Sequence, residues 1–479
     1  MPIPSPVRAR PGDLSRTGSA ASRIPFRALR RLSFRKGLPM MSTSTDQEPP
    51  SEEVLLEVRE LRVHFPVKLP FIQRLLTRAK PVVHAVDGVS FALRRGEIFG
   101  LVGESGCGKT TVGRSVLRLV EPTSGTISFQ GDDITHRKEK ELRAFRRKAQ
   151  IVFQDPHASL NPAMTVGRAI GHPLEIHRVN PGLTEGKDGA TDGASRLDPE
   201  EVRRAVLDIM REVGLTPEEQ LYEKYPADLS GGQKQRAAIA RAMILRPDLI
   251  VADEAVAMLD MSIRARVLEL MLDLKERHGL TYLFITHDLA TAKYICDRIA
   301  IMYLGRIIEV GPARGIYANP MHPYTRALLQ AIPIPDPSRR GTRIRAKGEV
   351  PDAVNLPAGC RFHPRCPVAL STCGWEGRDF VSFLEERWLA PERASVEKSL
   401  GPIDAWQGVG PAAFREGKPP GDPDLVGHVR RVLSEAPGPM GEAVESIQLE
   451  GGDLVVRFRS PSKLDRVQVE DRIVECLLY

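Results

Sequence analysis

From about Leu55 the chain alternates apolar and polar residues. "LLEVRELRVHF" and "VHAVDGVSFALRRGE" carry the two-residue period of half-buried strands, and a basic stretch, "KLPFIQRLLTRAK", separates them. "EIFGLVG" is a short unbroken apolar run, the pattern of a strand covered on both faces, and "TTVGRSVLRLV" follows at helical spacing. "GTISFQGDDI" and "AQIVFQD" read as further strands. Between Arg178 and Leu197 a polar Gly/Asp/Thr stretch predicts a surface loop. Asp198–Pro199–Glu200–Glu201 then opens a helix, with Asp as cap, proline in the first turn and glutamate three residues after the cap. Val202, Val206, Ile209 and Val213 continue it along one face. "SIRARVLELMLDLKERHG" repeats the signature through Ile263, Val267, Leu270 and Leu274 and stops at Gly279. Strands alternating with helices predict a mainly parallel α/β core. Past Pro333 the composition turns to Pro, Gly and Arg, which marks a boundary.

Charge changes this picture little. The net +7 invites a nucleic-acid partner, yet residues 1–40 hold nine Lys/Arg against one acid, Asp13, so the excess sits in that head. The near-neutral remainder offers no face for tracking phosphates, and no nucleic-acid partner is expected. Rich in Pro, Ser and Arg and lacking an apolar secretion core, residues 1–50 read as a disordered basic extension or as a start placed ahead of Met41. A targeting or membrane-surface role for that head is the alternative. At 479 residues there is room for two or three domains. No apolar run is long enough to cross a bilayer, so any membrane role is expected to be peripheral. Six cysteines are too few for a disulfide scaffold and suit a reducing compartment.

The chemistry begins at "GESGCGKTT", Gly103 to Thr111, set between the "EIFGLVG" strand and a helix. Gly103, Gly106 and Gly108 let backbone N–H groups converge on phosphate oxygens, with Ser105 and Thr111 beside them, and the helix N-terminus adds partial positive charge. Lys109 would bridge the terminal phosphates and Thr110 would ligate Mg²⁺. "LIVADE" is a buried strand ending in two acids: Asp253 would hold the Mg²⁺ shell and Glu254 would orient or deprotonate the attacking water. "LTYLFITHD" delivers His287 at its own carboxyl end, beside the γ-phosphate in this reading. Ser230, Gly231 and Gly232, followed by Gln233, open another helix and form a second anion-binding N-terminus. One ATP does not need two such ends from one chain.

In this order, the phosphate loop, "LSGGQ", "VADE" and "ITHD" resemble the ATP-binding cassette (ABC) ATPases. The resemblance implies an α/β P-loop fold with a RecA-like core, an antiparallel β subdomain and a helical subdomain. It also implies two units paired head to tail, each nucleotide clamped between one unit's phosphate loop and the partner's Ser-Gly-Gly helix. By the same resemblance Gln154 in "VFQDP" reaches Mg²⁺ and the water and relays nucleotide state to membrane subunits. Phe65 stacks on adenine, with His64 the runner-up and a core role for Phe65 the alternative. The family's D-E-P-V-S-A-L-D here reads "DEAVAMLD": Ala255 and Ala257 replace proline and serine, while Asp260 stays. The missing loop hydroxyl implies a modest effect on the partner's nucleotide.

"QDPHASLNPAMTVGRAI", "IMYLGRIIEVGP", "NPMHPYTRALLQAIP" and "GCRFHPRCPVALSTC" narrow the resemblance to the ATPases of oligopeptide/dipeptide importers, nickel-type relatives included. The insertion before "VHAVDGVSF" resembles the second of the two ATPases such systems carry. Implied partners are a second ATPase subunit, two integral membrane permease subunits and an extracytoplasmic substrate-binding protein, with this chain on the cytoplasmic face of the inner membrane. In the family the cysteine stretch soon ends in a cysteine-bearing tail. Here that tail, "PSKLDRVQVEDRIVECLLY", comes only at the end of the sequence, with Cys476 in the cysteine slot. Cys360, Cys366, Cys373 and Cys476 are therefore expected to hold a 4Fe–4S cluster of structural role; zinc or free reduced thiols are the alternatives. Cys107 and Cys296 are read as ordinary small residues. The expected domains are an ATP-binding unit over 51–333, with its helical part at about 155–245, a cysteine region over 334–375 plus 461–479, and an insertion over 376–460. That insertion is expected to carry a helix, "DLVGHVRRVLSEA", and a hairpin, "SIQLEGGDLVVRF". Two other functions stay in view: a slowly hydrolysing nucleotide-responsive scaffold, and a soluble cassette ATPase acting on ribosomes or DNA.

Overall fold

The computed structural model describes residues 53–67, 81–181, 197–332, 346, 348–389, 400–415, 424–436 and 438–479. The basic head, the "KLPFIQRLLTRAK" stretch over 68–80 and most of the Arg178–Leu197 loop lie outside them. Strands β1 (Val54–Pro66), β2 (Val82–Arg94), β4 (Ser124–Phe129) and β5 (Asp132–Asp133) form an antiparallel sheet in the order β2-β1-β4-β5. The central sheet is built on β3 (Ile98–Val102), β6 (Ala149–Val152), β7 (Leu249–Asp253), β8 (Thr281–Thr286) and β9 (Arg298–Tyr303). These five are parallel in the order β9-β3-β8-β7-β6.

Every residue of β3, β7 and β8 is buried, as unbroken apolar runs require of strands covered on both faces. Alternate side chains feed opposite layers. Ile98, Val102, Ile250, Ala252, Tyr282 and Phe284 enter one core with the helices Val166–His177, Pro199–Glu212 and Gly231–Met243. Phe99, Leu101, Leu249, Val251, Leu283 and Ile285 enter a second core against the antiparallel sheet. Asp198 caps its helix as expected, though through the Glu200 N–H, one residue short of the box pattern. Gly279, at φ 64°, ends the helix Met261–His278, whose buried face is Val267, Leu268, Met271 and Leu274, with Ile263 and Leu270 at its margin.

Two features carry the chain beyond this core. β10 (Arg306–Pro312) continues the central sheet antiparallel to β9 and accepts β16 (Arg472–Val474), itself paired with β15 (Val467–Val469). The distant tail is thus a sheet edge of the main body, and it brings Cys476 back to the cysteine stretch. Between them, β11 (Trp406–Val409), β12 (Ala412–Arg415), β13 (Val444–Glu450) and β14 (Asp453–Phe458) form a third sheet, ordered β11-β12-β14-β13. The helices Gly377–Trp388 and Leu425–Ser434 close over it around Phe380, Trp406, Val429, Leu433 and Phe458, a core of its own. The Gly451–Gly452 turn joins β13 to β14 with both residues at positive φ, as a two-residue hairpin loop demands.

Candidate functional site

Strands β3, β8 and β7 are adjacent and parallel, so their carboxyl ends open on one edge of the sheet. Gly103, His287 and Glu254 follow those ends in turn, which is how residues from three parts of the sequence meet.

The phosphate loop leaves β3 and runs into the helix Lys109–Val116. Ser105 and Gly106 are exposed at its rim, whereas Gly103 and Lys109 are buried at its base. Gly108 has φ 103°, and a Cβ there would lie 2.1 Å from the Ala85 carbonyl oxygen; one at Gly103 would lie 2.2 Å from that of Met302. Gly108→Ala is therefore expected to melt earlier than the parent in a thermal scan. The backbone conformation alone costs about 1–2 kcal/mol, and the contact with Ala85 adds to it. An unchanged melt would mean that the loop relaxes freely.

Lys109 Nζ donates to Gly103 O and Glu104 O, both at 2.8 Å, and more loosely to Cys107 Sγ at 3.7 Å, the weak contact that a phosphate oxygen would replace. Thr110 Oγ1 donates to Asp253 Oδ1 at 2.9 Å. Burial pushes the Asp253 carboxyl above its usual range, against the Thr110 bond and the charges of Arg114 and Lys109. A buried carboxylate short of compensating charge beside a hydroxyl fits Mg²⁺, which takes few protein oxygens and completes its shell with phosphates and water. Thr111 is half-buried in the same turn.

Glu254 sits at φ 49°, a strained conformation for a non-glycine residue, with its N–H bonded to Ile285 O at 3.0 Å. That twist turns its carboxylate between two partners: Gln154 Nε2 donates to Oε2 at 2.8 Å, and His287 Nδ1 meets Oε1 at 3.0 Å. A carboxylate on Nδ1 keeps the proton there and leaves Nε2 as the outward nitrogen. Gln154, Glu254 and His287 thus form one connected unit.

Other expected site residues stand apart from that unit. Ser230 caps the helix Gly231–Met243 and exchanges bonds with Gln233: Ser230 N to Oε1 at 2.9 Å, and Gln233 N to Oγ at 3.3 Å. Ser230 and Gly231 are exposed, while Gly232 is buried against Ile263. Asp260 caps the next long helix through Ile263 N, and backbone and hydroxyl bonds hold its carboxyl below the usual range. Ala255 is buried and Ala257 half-buried between the two acids. Phe65 is 41% exposed, which removes it from the core. Cys107 and Cys296 are buried thiols pushed up by burial, and Cys107 Sγ also faces Lys109 Nζ at 3.7 Å.

The four remaining cysteines converge. Cys360 N bonds Cys373 O at 2.9 Å, and the pairing of β16 with β10 brings Cys476 beside them; all four line one small cavity with Phe362 and His322. Burial pushes each thiol up, Cys366 to about 11. No three of these sulfurs lie within 4.8 Å of one another. Four cysteines on one cavity are a donor set that either zinc or an iron–sulfur cluster takes.

Three further contacts carried no signal at the level of sequence. Arg365 forks onto Glu104 of the phosphate loop, at 2.9 and 3.3 Å. Arg361 bonds Leu304 O and Asp87. His64, His84 and Asp87 cluster like metal ligands, yet Arg62, Arg306 and Arg361 all face Asp87 and oppose a cation there.

With the geometry established, the comparisons are specific. A family described as ABC transporter matches residues 86–257, and one described as oligopeptide/dipeptide transporter, C-terminal region, matches 308–373. "Probable peptide ABC transporter ATP-binding protein y4tS" of Sinorhizobium fredii is 44% identical over 338 residues, which is 71% of this chain and 89% of that protein. "Oligopeptide transport ATP-binding protein AppF" of Bacillus subtilis is 44% identical over 328 residues, 67% of this chain and 92% of that one. Among solved structures, the dimeric ADP- and Pi-bound cassette MJ0796 is 25% identical with a TM-score of 0.45, covering 55% of this chain and all of that one.

Proposed function

The chain belongs to the ATP-binding subunits of oligopeptide/dipeptide ABC transporters, and from that premise we propose that it hydrolyses ATP to drive peptide uptake through membrane-embedded permease subunits. The observation that carries the enzymology is the Gln154–Glu254–His287 unit beside the Thr110–Asp253 pair. Lys109 and the loop amides hold the phosphates; Thr110, Asp253 and Gln154 would hold Mg²⁺, whose charge would offset the polyphosphate when bound. Water attacks the γ-phosphorus in line and passes a proton to Glu254 as the bond to the β–γ bridging oxygen breaks and ADP leaves, while Gln154 orients the water and His287 presents Nε2 to the γ-phosphate. Phe65 offers its exposed ring to adenine.

Ser230–Gln233 and Asp260 complete the nucleotide site of a second ATPase subunit facing this one, most simply a related chain. Support comes from the exposure of Ser230, Gly231 and Asp260 and from bonds that tie these segments to their own helices rather than to the phosphate loop. Two permease subunits and an external substrate-binding protein supply the rest of the transporter. No helix among the described residues is long and apolar enough to cross a membrane. Measuring phosphate release by the chain alone, and then with its ATPase and permease partners, tests the assembly. Full activity in the solitary chain would overturn it.

Cys360, Cys366, Cys373 and Cys476 are read as the ligands of a 4Fe–4S cluster, which would cross-link the cysteine stretch to the tail. The insertion between them, over 376–460, is read as a separate module. Anaerobically purified protein is expected to absorb near 400 nm, and Cys476→Ser to lose that band. Colourless parent protein with stoichiometric zinc would replace the iron assignment.

A further inference from the structure

We propose that Arg365 is a positioning residue for nucleotide binding: from within the cysteine segment it holds Glu104, and through it the phosphate loop, in the form that receives a polyphosphate. The proposal rests on Gly103–Thr111 being the nucleotide's seat. Glu104 is the one acid in that loop. Left unpaired, its carboxylate would repel a ligand carrying several negative charges. Arg365 meets it with a two-pronged fork, Nη1 to Oε2 at 2.9 Å and Nη2 to Oε1 at 3.3 Å, the strongest pairing a carboxylate can make.

The guanidinium is itself fixed. Arg365 is buried, lies over the rings of Tyr303 and Phe362 at 5.8 and 5.9 Å from their centroids, and donates to Tyr303 Oη at 3.4 Å. Glu104 is held at every polar group. Its N–H donates to Tyr324 Oη at 3.0 Å, and its carbonyl accepts from Lys109. The residue that Arg365 clamps therefore also sets the lysine. Arg361 braces the other side: it bonds Leu304 O, and the next residue, Gly305, donates its N–H to Cys107 O of the loop at 2.9 Å. Arg361 and Arg365 lie within the segment bounded by Cys360 and Cys373, so the cysteine site and the phosphate loop share a support.

The test is binding of a fluorescent N-methylanthraniloyl ATP to the full chain with Mg²⁺, followed by competition with ADP. Parent protein and Lys109→Ala come first; no binding by the parent, or equal binding by that variant, would remove the nucleotide site itself and this proposal with it. Arg365→Gln is then expected to weaken ATP binding about tenfold and ADP binding less, in the range of coupled charge pairs. Arg365→Lys, which keeps the charge without the fork, should lose about threefold. Adding Glu104→Gln to Arg365→Gln should recover most of the loss, because the stray charge is gone. Unchanged affinity in Arg365→Gln overturns the proposal. A loss that Glu104→Gln does not recover overturns it too, since that is what a merely structural arginine would give. Should Arg365→Gln fail to fold, Arg365→Lys with and without Glu104→Gln makes the same comparison on a smaller scale.

Discussion

Glu254→Gln is expected to lower ATP turnover by about 10²–10⁴-fold while leaving Mg·ATP binding close to that of the parent. Gln and Glu have the same shape, so the strained turn at φ 49° and the backbone N–H bond to Ile285 O have no steric reason to change. An amide oxygen can still accept from His287 Nδ1 or from Gln154 Nε2, though not from both. What disappears is the basic oxygen that takes the proton from water. Single-turnover phosphate release, set beside a nucleotide titration of the same preparation, separates chemistry from binding. Equal rates for parent and variant would strip Glu254 of its role and move the base elsewhere. Reduced binding with unchanged turnover would place the carboxylate in the nucleotide pocket rather than beside the water.

Lys109→Ala should act at the other step. A hydrogen bond to a charged partner contributes about 1.5–3 kcal/mol, and the ammonium, which already donates to Gly103 O and Glu104 O, has one proton to turn toward a phosphate. Mg·ATP affinity should therefore fall by about 10- to 100-fold. The variant also leaves the Gly103 and Glu104 carbonyls without their donor. A thermal melt is needed alongside, because a looser loop would lower the melting temperature as well. Full affinity in a folded Lys109→Ala variant would mean that the lysine only braces its own loop.

Much of this was legible because the physics is local. Short, mostly apolar runs such as "IFGLV" and "LIVAD", flanked by turn and helix-start residues, read as strands covered twice, and the residues just past them fall at the sheet edge where ligands bind. The Gly-Gly hairpin and the Asp198 and Gly279 helix ends follow from turn and cap chemistry within a few residues. Long-range contacts were another matter. Arg365 and Glu104 are 261 positions apart, and nothing in "GCRFHPRCP" says which acid its arginines will meet. The addition of β16 to the main sheet was equally hidden, since three residues, Arg472 to Val474, carry no period. The strain at Glu254 arises from the tertiary demand to aim one carboxylate at two partners, and propensity cannot report it. Within the module after Trp375, the hairpin was visible, whereas β11, β12 and the helix Gly377–Trp388 were not. Their burial depends on a core assembled from both ends of that stretch.

Ser462 N bonds Thr372 O at 3.0 Å, so the polypeptide departs from the cysteine segment and returns to it at nearly the same spot. To everything outside, the residues in between are a bead threaded on a loop that is already tied shut. Lengthening such a tie from about 25 to about 100 residues costs only about 1 kcal/mol of chain entropy, because the penalty grows with the logarithm of length. The stretch between Thr372 and Ser462 can therefore change in length at little entropic cost while Cys476 still meets Cys360, Cys366 and Cys373.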